Sequence, residues 1–569
     1  MYDVVFITPN FNRNLDDESI GTLLLATILR DSGIKPKLLP FYHFGDVSNF
    51  DSFIKTAVQQ VTATSARIVS FYTRCDTYHI SLKIAEALKA AIPDVYIIFG
   101  GPQADMVAQE TMSAITYVDY ICSGEGETTI VPLFSSLLAG KPDHSINGLT
   151  YRQNGTIFSN PRPAFLADLD HVPLVDYSLS GLDDADLATA VQSSFPIDVG
   201  RGCPFSCTFC STKMFWGRKY RLKSAQRIIQ EIENIHHKYG LTSFSFDHDM
   251  FTLNREKVIE ICSLLKNLDF DISWKCSARI DCLDRELIDI MADSGMKKIY
   301  IGIETGSPRM QKVIQKNLNL SNVIDILSYI GNKGIVFTTS FIFGFPDETE
   351  EDFMQTMEMM FAISKIPHAQ IQHHLCAFFT GTELSSKYIN QFEYSSVFSD
   401  ITGDVAVSEC EDLILAHPKL FAHFFEYRSE LREKIKHFPI FFDHATSIPF
   451  LYEYLAKTYY RGNLCQMLYD FTNQNYNLLN SKPSYEEFCK NDHFLDLFSG
   501  EQIYPILKEI QRFLQWRLFA DENSVEIFKI DVGAILNGLP IEQIKQTFAV
   551  VKCTVTESGD RIFTVLRSV

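Results

Sequence analysis

Residues 1–145 alternate between short apolar runs and longer stretches in which apolar side chains recur at helical spacing. The short runs are typical of buried strands and lie at residues 4–7, 67–71, 95–99 and 117–121. Helical spacing occupies residues 21–31 and 80–91, and glycine-rich turns follow two of the strands. This alternation predicts an α/β fold with a doubly wound, Rossmann-like parallel sheet and a ligand crevice along the carboxyl ends of its strands.

Residues 146–190 follow no regular period and contain hairpin-turn dipeptides at Asn147-Gly148 and Asn154-Gly155, which indicates a linker. The alternation of strands and helices returns over residues 191–390. The predicted strands of this part lie at residues 195–199, 243–247, 272–277, 298–304, 336–343 and 369–375. Six strands in this order, with helices between them, predict a partial (β/α)6 barrel whose functional residues lie at the strand carboxyl ends.

Residues 391–569 have a different character. Residues 413–480 favour several helices dense in Phe and Tyr, among them residues 421–427 and 451–455. The tail predicts a strand at residues 524–532, a short helix at 541–546 and a hairpin formed by 548–555 and 561–566. We expect a C-terminal helical and α+β domain related to substrate or partner binding, with a lid, a peptide-docking surface and a dimer contact as the alternatives.

Length, net charge, apolar runs and cysteine count exclude several classes of protein. A chain of 569 residues is too long for one core, so several domains are expected. The formal net charge of −19 argues against nucleic acid as a partner, because phosphate binding needs clustered Lys and Arg. No apolar run approaches the ~18–20 residues that span a bilayer, and the first residues carry no basic signal-peptide region. Thirteen cysteines, mostly scattered, indicate free thiols in a reducing cytoplasmic compartment.

Three of these cysteines are clustered directly behind the predicted strand at residues 195–199. Cys203, Cys207 and Cys210 have the spacing C-x3-C-x2-C. Three thiolates on one short loop can hold three irons of a [4Fe–4S] cluster and leave the fourth iron open. The alternatives are buried structural cysteines or a zinc site, but zinc usually needs a fourth ligand in a second paired element, and none is visible.

The cysteine spacing, Phe209 before the last cysteine and the preceding Gly-Arg-Gly-Cys-Pro resemble the radical S-adenosylmethionine (SAM) family. Residues 99–102 and 124–128, Phe-Gly-Gly-Pro and Gly-Glu-Gly-Glu-Thr, resemble the cobalamin (B12)-binding domain that precedes many radical SAM domains. The chain lacks the D-x-H-x-x-G signature found in older cobalamin domains, so we expect no protein imidazole below the cobalt. His43 and His79 lie near candidate loops, and ordinary solvated or hydrogen-bonded roles are expected for both.

The resemblance implies a set of cofactor contacts. SAM contacts are expected from residues at barrel strand ends and from the cysteine loop, namely Phe209, Asp247, Asp249, Arg279, Glu304, Ser340 and Gly344. Cobalamin contacts are expected along the crevice of the first domain, from Tyr72, Thr73, Gly100, Gly101, Pro102, Gly124, Glu125 and Gly126. Each residue alone also has an ordinary structural role, such as a surface ion pair or a tight turn.

As a function, the resemblance implies a cobalamin-dependent radical SAM enzyme with three cofactors: a [4Fe–4S] cluster, SAM and cobalamin. An external donor such as flavodoxin or ferredoxin would reduce the cluster, and SAM would be cleaved to a 5′-deoxyadenosyl radical that functionalises an unactivated carbon, by methyl transfer. Cyclisation or rearrangement without methyl transfer is one alternative, and a cobalamin- or redox-sensing iron–sulfur protein is another. The acidic composition favours a small-molecule or peptide substrate.

Overall fold

A computed structural model of the chain describes residues 2–12, 19–182, 194–395, 399, 403, 405–447, 456–457, 461, 463–474, 508–509, 512–513, 525–528, 549–555 and 561–568. The chain divides into two compact units, Met1–Ser429 and Glu430–Val569. The first unit contains two large sheets, two short antiparallel strand pairs and every residue of the candidate site.

The first sheet has seven strands in the order β2-β1-β3-β4-β5-β6-β7. Its strands are β1 (Val4–Thr8), β2 (Pro36–Pro40), β3 (Ile68–Tyr72), β4 (Tyr96–Gly100), β5 (Tyr120–Cys122), β6 (Leu149–Gln153) and β7 (Thr156–Ser159). The first five are parallel. The last two are antiparallel and form a hairpin that turns at Asn154-Gly155, so part of the predicted linker extends this sheet.

Helices cover both faces of this sheet. They are α1 (Ile20–Asp31), α2 (Phe50–Thr64), α3 (Tyr78–Ala91), α4 (Pro102–Met106), α5 (Ala108–Ala114) and α6 (Ile130–Leu138). Alternate residues of β1 point to opposite faces: Phe6 contacts Phe134 of α6, whereas Val5 and Ile7 pack in one cluster with residues of α2 and α3. This is the predicted doubly wound arrangement.

The second sheet has six parallel strands in the order β15-β14-β13-β12-β11-β8. They are β8 (Phe195–Asp198), β11 (Ser243–Asp247), β12 (Ser273–Ala278), β13 (Met296–Glu304), β14 (Val336–Phe343) and β15 (Ala369–Leu375). A short antiparallel pair, β9 (Gly200–Arg201) and β10 (Arg221–Leu222), closes the loop that carries the three cysteines. Sequential parallel order is that of the predicted partial barrel.

Helices connect these strands and cover the outer face of the barrel. They are α7 (Thr212–Trp216), α8 (Ala225–Tyr239), α9 (Arg255–Leu265), α10 (Arg285–Asp293), α11 (Pro308–Val313), α12 (Val323–Asn332) and α13 (Glu350–Ser364). Burial alternates along β12, where Trp274, Cys276 and Ala278 are buried and Lys275 and Ser277 are half-buried. The buried set includes Trp274, which stacks on Phe246. The other set faces a cavity.

The segment after the barrel returns to the first sheet. It contains α14 (Glu383–Tyr388), β16 (Phe392–Tyr394), α15 (Glu411–Ala416) and β17 (Phe425–Tyr427), and the two strands pair antiparallel. The predicted helix at residues 421–427 is wrong: Ala422–Phe424 forms a single 3-10 turn that leads into β17. Phe421 and Phe424 are anchored in the core of the first sheet, and this anchoring overrides the helical spacing.

The second unit contains helices α16 (Glu430–Ile435), α17 (Phe438–Ser447) and α18 (Leu464–Gln474). It also contains an antiparallel sheet in the order β18-β19-β20, formed by Val525–Phe528, Ala549–Val555 and Arg561–Ser568. The predicted strand and hairpin of the tail match this sheet, while the predicted helical segments at 451–455 and 541–546 lie outside the described residues. Among the described residues, no helix has both the length and the apolar character needed to cross a membrane.

Candidate active site

A cavity of about 980 Å³ lies between the strand ends of the first sheet and the interior of the barrel. This volume is at the upper end of the range for small-molecule and cofactor sites. On the first-sheet side, six of the eight predicted cobalamin contacts line the cavity, namely Tyr72, Gly101, Pro102, Gly124, Glu125 and Gly126. The apolar side chains Leu24 and Leu25 of α1 lie beside them.

The other two predicted cobalamin contacts, Thr73 and Gly100, are not among the lining residues. The buried Thr73 hydroxyl donates to the carbonyl of Gly100 at 2.9 Å and accepts the N–H of Ala104 at 2.9 Å. These bonds fix the turn that carries Gly101. Gly101 has φ of +88°, and a Cβ there would lie 2.8 Å from the Tyr72 ring, so only glycine fits this turn without strain.

Neither of the two histidines considered from the sequence lines the cavity. His79 is fully buried in α3, and its Nε2 bonds the carbonyl of Val405 at 2.8 Å. Burial lowers the pKa of His79 to about 4, so the ring is neutral near pH 7. The His43 ring lies 4.6 Å from the Tyr42 ring, at an angle of 32°, in the turn after β2. Within the described residues of the first sheet, no imidazole lines the cavity, whereas His248, directly after β11 of the barrel, does.

The three cysteines lie on the loop between β9 and β10, which we call the cluster loop (residues 202–220). All three are half-buried free thiols. Gly202 begins the loop with φ of +88°, and a Cβ there would lie 2.0 Å from the Lys219 carbonyl oxygen, so the two ends of the loop can meet only because residue 202 is glycine. The N–H of Thr208 donates to the Ile314 carbonyl at 3.0 Å and holds the loop against the barrel.

The donor chemistry of this loop fits an iron–sulfur cluster. Within the described part of the chain, no three His, Cys, Asp or Glu side chains converge as they would to hold a single metal ion. A cluster differs from a single ion because each thiolate binds a different iron. Three soft thiolates without a fourth side chain therefore fit a cluster with one open iron better than a four-ligand zinc site. The three cysteines remain the predicted ligands.

Burial and neighbouring charges shift the pKa values of two thiols in the cluster loop. Burial raises the pKa of the Cys203 thiol to about 11. Burial also raises the pKa of Cys207, although the positive charges of Lys316 and Arg279 oppose the shift. Binding of iron would therefore displace protons from these thiols.

The predicted SAM contacts Glu304 and Arg279 lie in a buried charged group next to Cys207. Lys316 donates to Glu304 Oε1 at 2.6 Å, and all three charged side chains are buried. Glu304 ends β13 with φ of +70°, after a register shift between Gly302 and Glu304. A bulge of this kind redirects a side chain and is common beside active sites.

Arg279 is held on three sides. It makes a two-bond pair with Asp281 at 2.9 and 3.0 Å, donates to the Lys316 carbonyl at 2.9 Å and lies 3.8 Å from the centre of the Phe205 ring. A buried group of one carboxylate and two cationic side chains fits the charged amino-acid portion of SAM. The guanidinium matches the carboxylate of SAM, and the Glu304 carboxylate can accept from its amine.

The remaining predicted SAM contacts lie around the same region. Asp247 and Asp249 line the cavity. Burial raises the pKa of Asp249, although hydrogen bonds from Thr212 and the Gly202 N–H oppose the shift. Ser340 is buried on β14, and Phe209 packs against Phe345 with ring centres 6.0 Å apart.

Gly344, the last predicted SAM contact, follows β14 with φ of +78°. Its N–H donates to the Glu348 carboxylate. Six of the seven predicted SAM contacts thus lie at or just after barrel strand ends or on the cluster loop, whereas Ser340 lies inside β14. Of the seven, only Asp247 and Asp249 line the cavity.

An ion network that was not predicted from the sequence links the two large sheets. Buried Arg201 contacts Glu125 at 2.8 Å and Glu127 at 2.7 Å, both from the first sheet, and Asp198 of β8 at 3.4 Å. Arg221 also pairs with Glu125 at 2.8 Å. Burial opposes ionisation of Glu125, but hydrogen bonds from Arg221, the Leu166 N–H and Arg201 outweigh it and hold its pKa below the usual range.

The sequence carries a signal for Arg201 but none for Lys316, the other missed residue. Arg201 lies inside the Gly-Arg-Gly motif that drew attention to the loop, but a motif alone does not show which carboxylates an arginine meets. Lys316 lies between Gln315 and Asn317, both with positive φ, and no sequence pattern marks such a turn as part of a site.

A parallel six-stranded barrel with a three-cysteine loop behind its first strand, sharing a cavity with a doubly wound sheet, defines a radical SAM enzyme with a cobalamin-type domain. Residues 197–360 match the model of the Radical SAM superfamily, and residues 11–134 match that of the B12 binding domain. An uncharacterized methyltransferase of Pyrococcus horikoshii is 30% identical over 342 residues, which is 60% of this chain and 72% of that protein.

The anaerobic magnesium-protoporphyrin IX monomethyl ester cyclase of Cereibacter sphaeroides is 24% identical over 375 residues, 63% of this chain and 59% of that protein. Among solved structures, the cobalamin-dependent S-adenosylmethionine radical enzyme OxsB, with aqua-cobalamin and S-adenosylmethionine bound, has a TM-score of 0.60. That likeness covers 91% of this chain and 80% of that chain at 15% identity, and it shows the fold.

The chain therefore belongs to the radical SAM superfamily and carries an N-terminal B12 binding domain. The predicted family and fold class are confirmed.

Proposed function

We propose that this enzyme is a cobalamin-dependent radical SAM methyltransferase that acts on an unactivated carbon of a small-molecule or peptide substrate. The observation that carries the proposal is the shared cavity, because strand ends of the first sheet form one wall and the barrel interior forms the other. A cofactor held at the first wall would face a substrate held inside the barrel. The name of the relative from Pyrococcus horikoshii also favours methyl transfer.

The residues of the chain bind and orient the cofactors. Cys203, Cys207 and Cys210 would hold the cluster, and Glu304, Lys316 and Arg279 would hold the amino-acid portion of SAM beside it. Gly101, Gly124 and Gly126 would let a flat corrinoid approach the backbone, with Leu25 against its apolar edge. When bound, the cluster and SAM supply radical activation of a C–H bond and cobalamin supplies methyl-group chemistry.

The surrounding residues keep this chemistry away from water. The buried network around Arg201 fixes the cobalamin-type wall against the first barrel strand, so the cavity keeps its width while the cofactors are bound. The reducing electron would come from an external donor such as flavodoxin or ferredoxin, since the cysteine spacings predict one cluster. A cytoplasmic location fits a cluster that oxygen would destroy.

One substitution tests whether the first-sheet wall of the cavity binds cobalamin, and it leaves the cluster ligands unchanged. Leu25 lines the cavity and is half-buried, so Leu25→Arg would place a charge against the corrinoid. Anaerobic reconstitution with iron, sulfide and hydroxocobalamin, followed by gel filtration, should leave about four irons and one corrinoid on the wild type. Leu25→Arg should keep the iron and lose the corrinoid.

Leu415 provides the matched control. It is 47% exposed and does not line the cavity, so Leu415→Arg should retain both cofactors. A wild type that holds iron but no corrinoid would overturn the methyl-transfer proposal. Ring formation, the reaction named for the relative from Cereibacter sphaeroides, would then be the better account.

A further inference from the structure

Two lysines project into the cavity from neighbouring barrel strands. Lys275 of β12 and Lys298 of β13 are paired in register, and both line the cavity as half-buried side chains. Adjacent strands place paired residues about 5 Å apart, so the two ammonium groups can reach one common point.

Neither lysine has a carboxylate within 4.0 Å of its ammonium group among the described residues. The acidic residues of the cavity have other partners, and among them Asp247 accepts from Ser245 at 3.0 Å. Glu125 and Glu127 pair with Arg201, Asp105 pairs with Arg162, and Asp249 accepts from Thr212. Like charges directly opposite one another on neighbouring strands are destabilising, so this pair costs stability unless an anion lies between the lysines.

Hydroxyl groups surround the same point. Ser245 is paired in register with Lys275 on the other side, and Ser277 is paired with Tyr300 one step further along the strands. All three hydroxyl side chains line the cavity. The Ser245 hydroxyl already donates to Asp247 Oδ1 at 3.0 Å, which leaves Ser277 and Tyr300 as the hydroxyl donors. Two cations with these hydroxyl donors form a binding site for an oxyanion, whose oxygens accept more than one hydrogen bond.

We propose that Lys275 and Lys298 bind an oxyanion group of the substrate, a phosphate, phosphonate or carboxylate. The assignment of that anion to a substrate rests on the proposed function. Lys298 precedes Glu304 by six residues on β13. A strand rises about 3.3 Å per residue, so their Cα atoms lie ~20 Å apart. The substrate is therefore elongated, with its anionic end deep in the barrel and its reacting carbon near the cofactors.

Calorimetric titration of the reconstituted holoenzyme tests the subsite. Inorganic phosphate and acetate are the probes, at constant ionic strength and with saturating SAM to cover the charges around Glu304. Lys275→Met and Lys298→Met should each weaken binding of the preferred probe at least about tenfold, the scale of one lost charge-assisted hydrogen bond. Tighter binding of phosphate indicates a phosphate or phosphonate, and tighter binding of acetate indicates a carboxylate.

Lys297 is the matched control, because it is exposed on the same strand and does not line the cavity. Lys297→Met should bind the probe as the wild type does. If a methionine variant fails to fold, Lys275→Gln and Lys298→Gln remove the charge but keep a polar side chain, and they should show the same loss.

The proposal is overturned if neither probe binds the wild type, or if the Lys275 and Lys298 variants bind it unchanged. Corrinoid retention by the same preparations is scored separately. Retained corrinoid without anion binding would refute the lysine subsite alone. Loss of the corrinoid from the wild type would instead refute the methyltransferase assignment.

Discussion

Replacement of Arg201 by Met tests the ion network that joins the two sheets. In the native chain the guanidinium is 9% exposed and meets three carboxylates at 2.7, 2.8 and 3.4 Å. Without it, Glu125 keeps Arg221, but Glu127 has no other ion-pair partner among the described residues. Breaking a buried pair by removing one partner costs about 3–5 kcal/mol. Since one partner of Glu125 survives, we expect a loss of about 3 kcal/mol in the free energy of unfolding.

Urea unfolding of the cofactor-free proteins, followed by circular dichroism, measures this loss. Arg255 is the matched control because it also contacts two carboxylates, Asp284 and Glu286, but lies at the surface with 36% of its side chain exposed. Exposed pairs contribute about 0–1 kcal/mol, so Arg255→Met should be nearly neutral. If Arg201→Met costs no more than Arg255→Met, the network does not stabilise the junction. A double-mutant cycle with Glu127→Gln should show coupling of about 0.5–3 kcal/mol.

Three further predictions concern the cluster, the SAM contacts and pH. Changing all three cysteines of the cluster loop to Ala should abolish iron binding and SAM cleavage, and retention of about four irons by that variant would contradict the ligand assignment. Glu304→Gln should weaken SAM binding by about 1–3 kcal/mol in equilibrium dialysis with iron content unchanged; an unchanged dissociation constant would leave Glu304 only its structural role as the partner of Lys316. Burial lowers the pKa of His79 to about 4 and of His423 to about 3. Below pH ~6.5 the unfolded chain therefore binds protons at these rings that the folded chain does not bind. The free energy of unfolding should then fall by up to about 1.4 kcal/mol per pH unit for each ring as the pH is lowered. In urea titrations between pH 6.5 and 4.5, His79→Phe should reduce that slope and the exposed His171→Phe should not; equal slopes would contradict the burial argument.

Regular strands and local motifs were predictable from the sequence. Each barrel strand is found within two residues of its predicted position, because a buried parallel strand is a short apolar run between turn signals. The cysteine loop was equally clear, since ligand spacing is a local property. In the first sheet, β2 and α2 were missed. The sequence Pro-Lys-Leu-Leu-Pro of β2 is bounded by prolines, which lower its strand signal.

Contacts between distant segments were not predictable. Glu125 was expected to contact cobalamin, and the structure shows its carboxylate engaged by Arg201 and Arg221, 76 and 96 residues further along the chain. The turn at residues 421–427 was misassigned for the same reason, because its aromatic side chains belong to the core of a sheet formed more than 300 residues earlier. Local periodicity carries no information about such partners.

Transfer of a labelled methyl group from SAM to the bound corrinoid distinguishes a methyltransferase from the alternatives. Anaerobically reconstituted protein holding the cluster and corrinoid is reduced with dithionite and incubated with methyl-labelled SAM, and protein-bound corrinoid is then separated from free SAM. We expect label on the corrinoid together with formation of 5′-deoxyadenosine, and loss of the 5′-deoxyadenosine when the cluster-loop cysteines are replaced. Formation of 5′-deoxyadenosine without any label on a retained corrinoid would contradict methyl transfer.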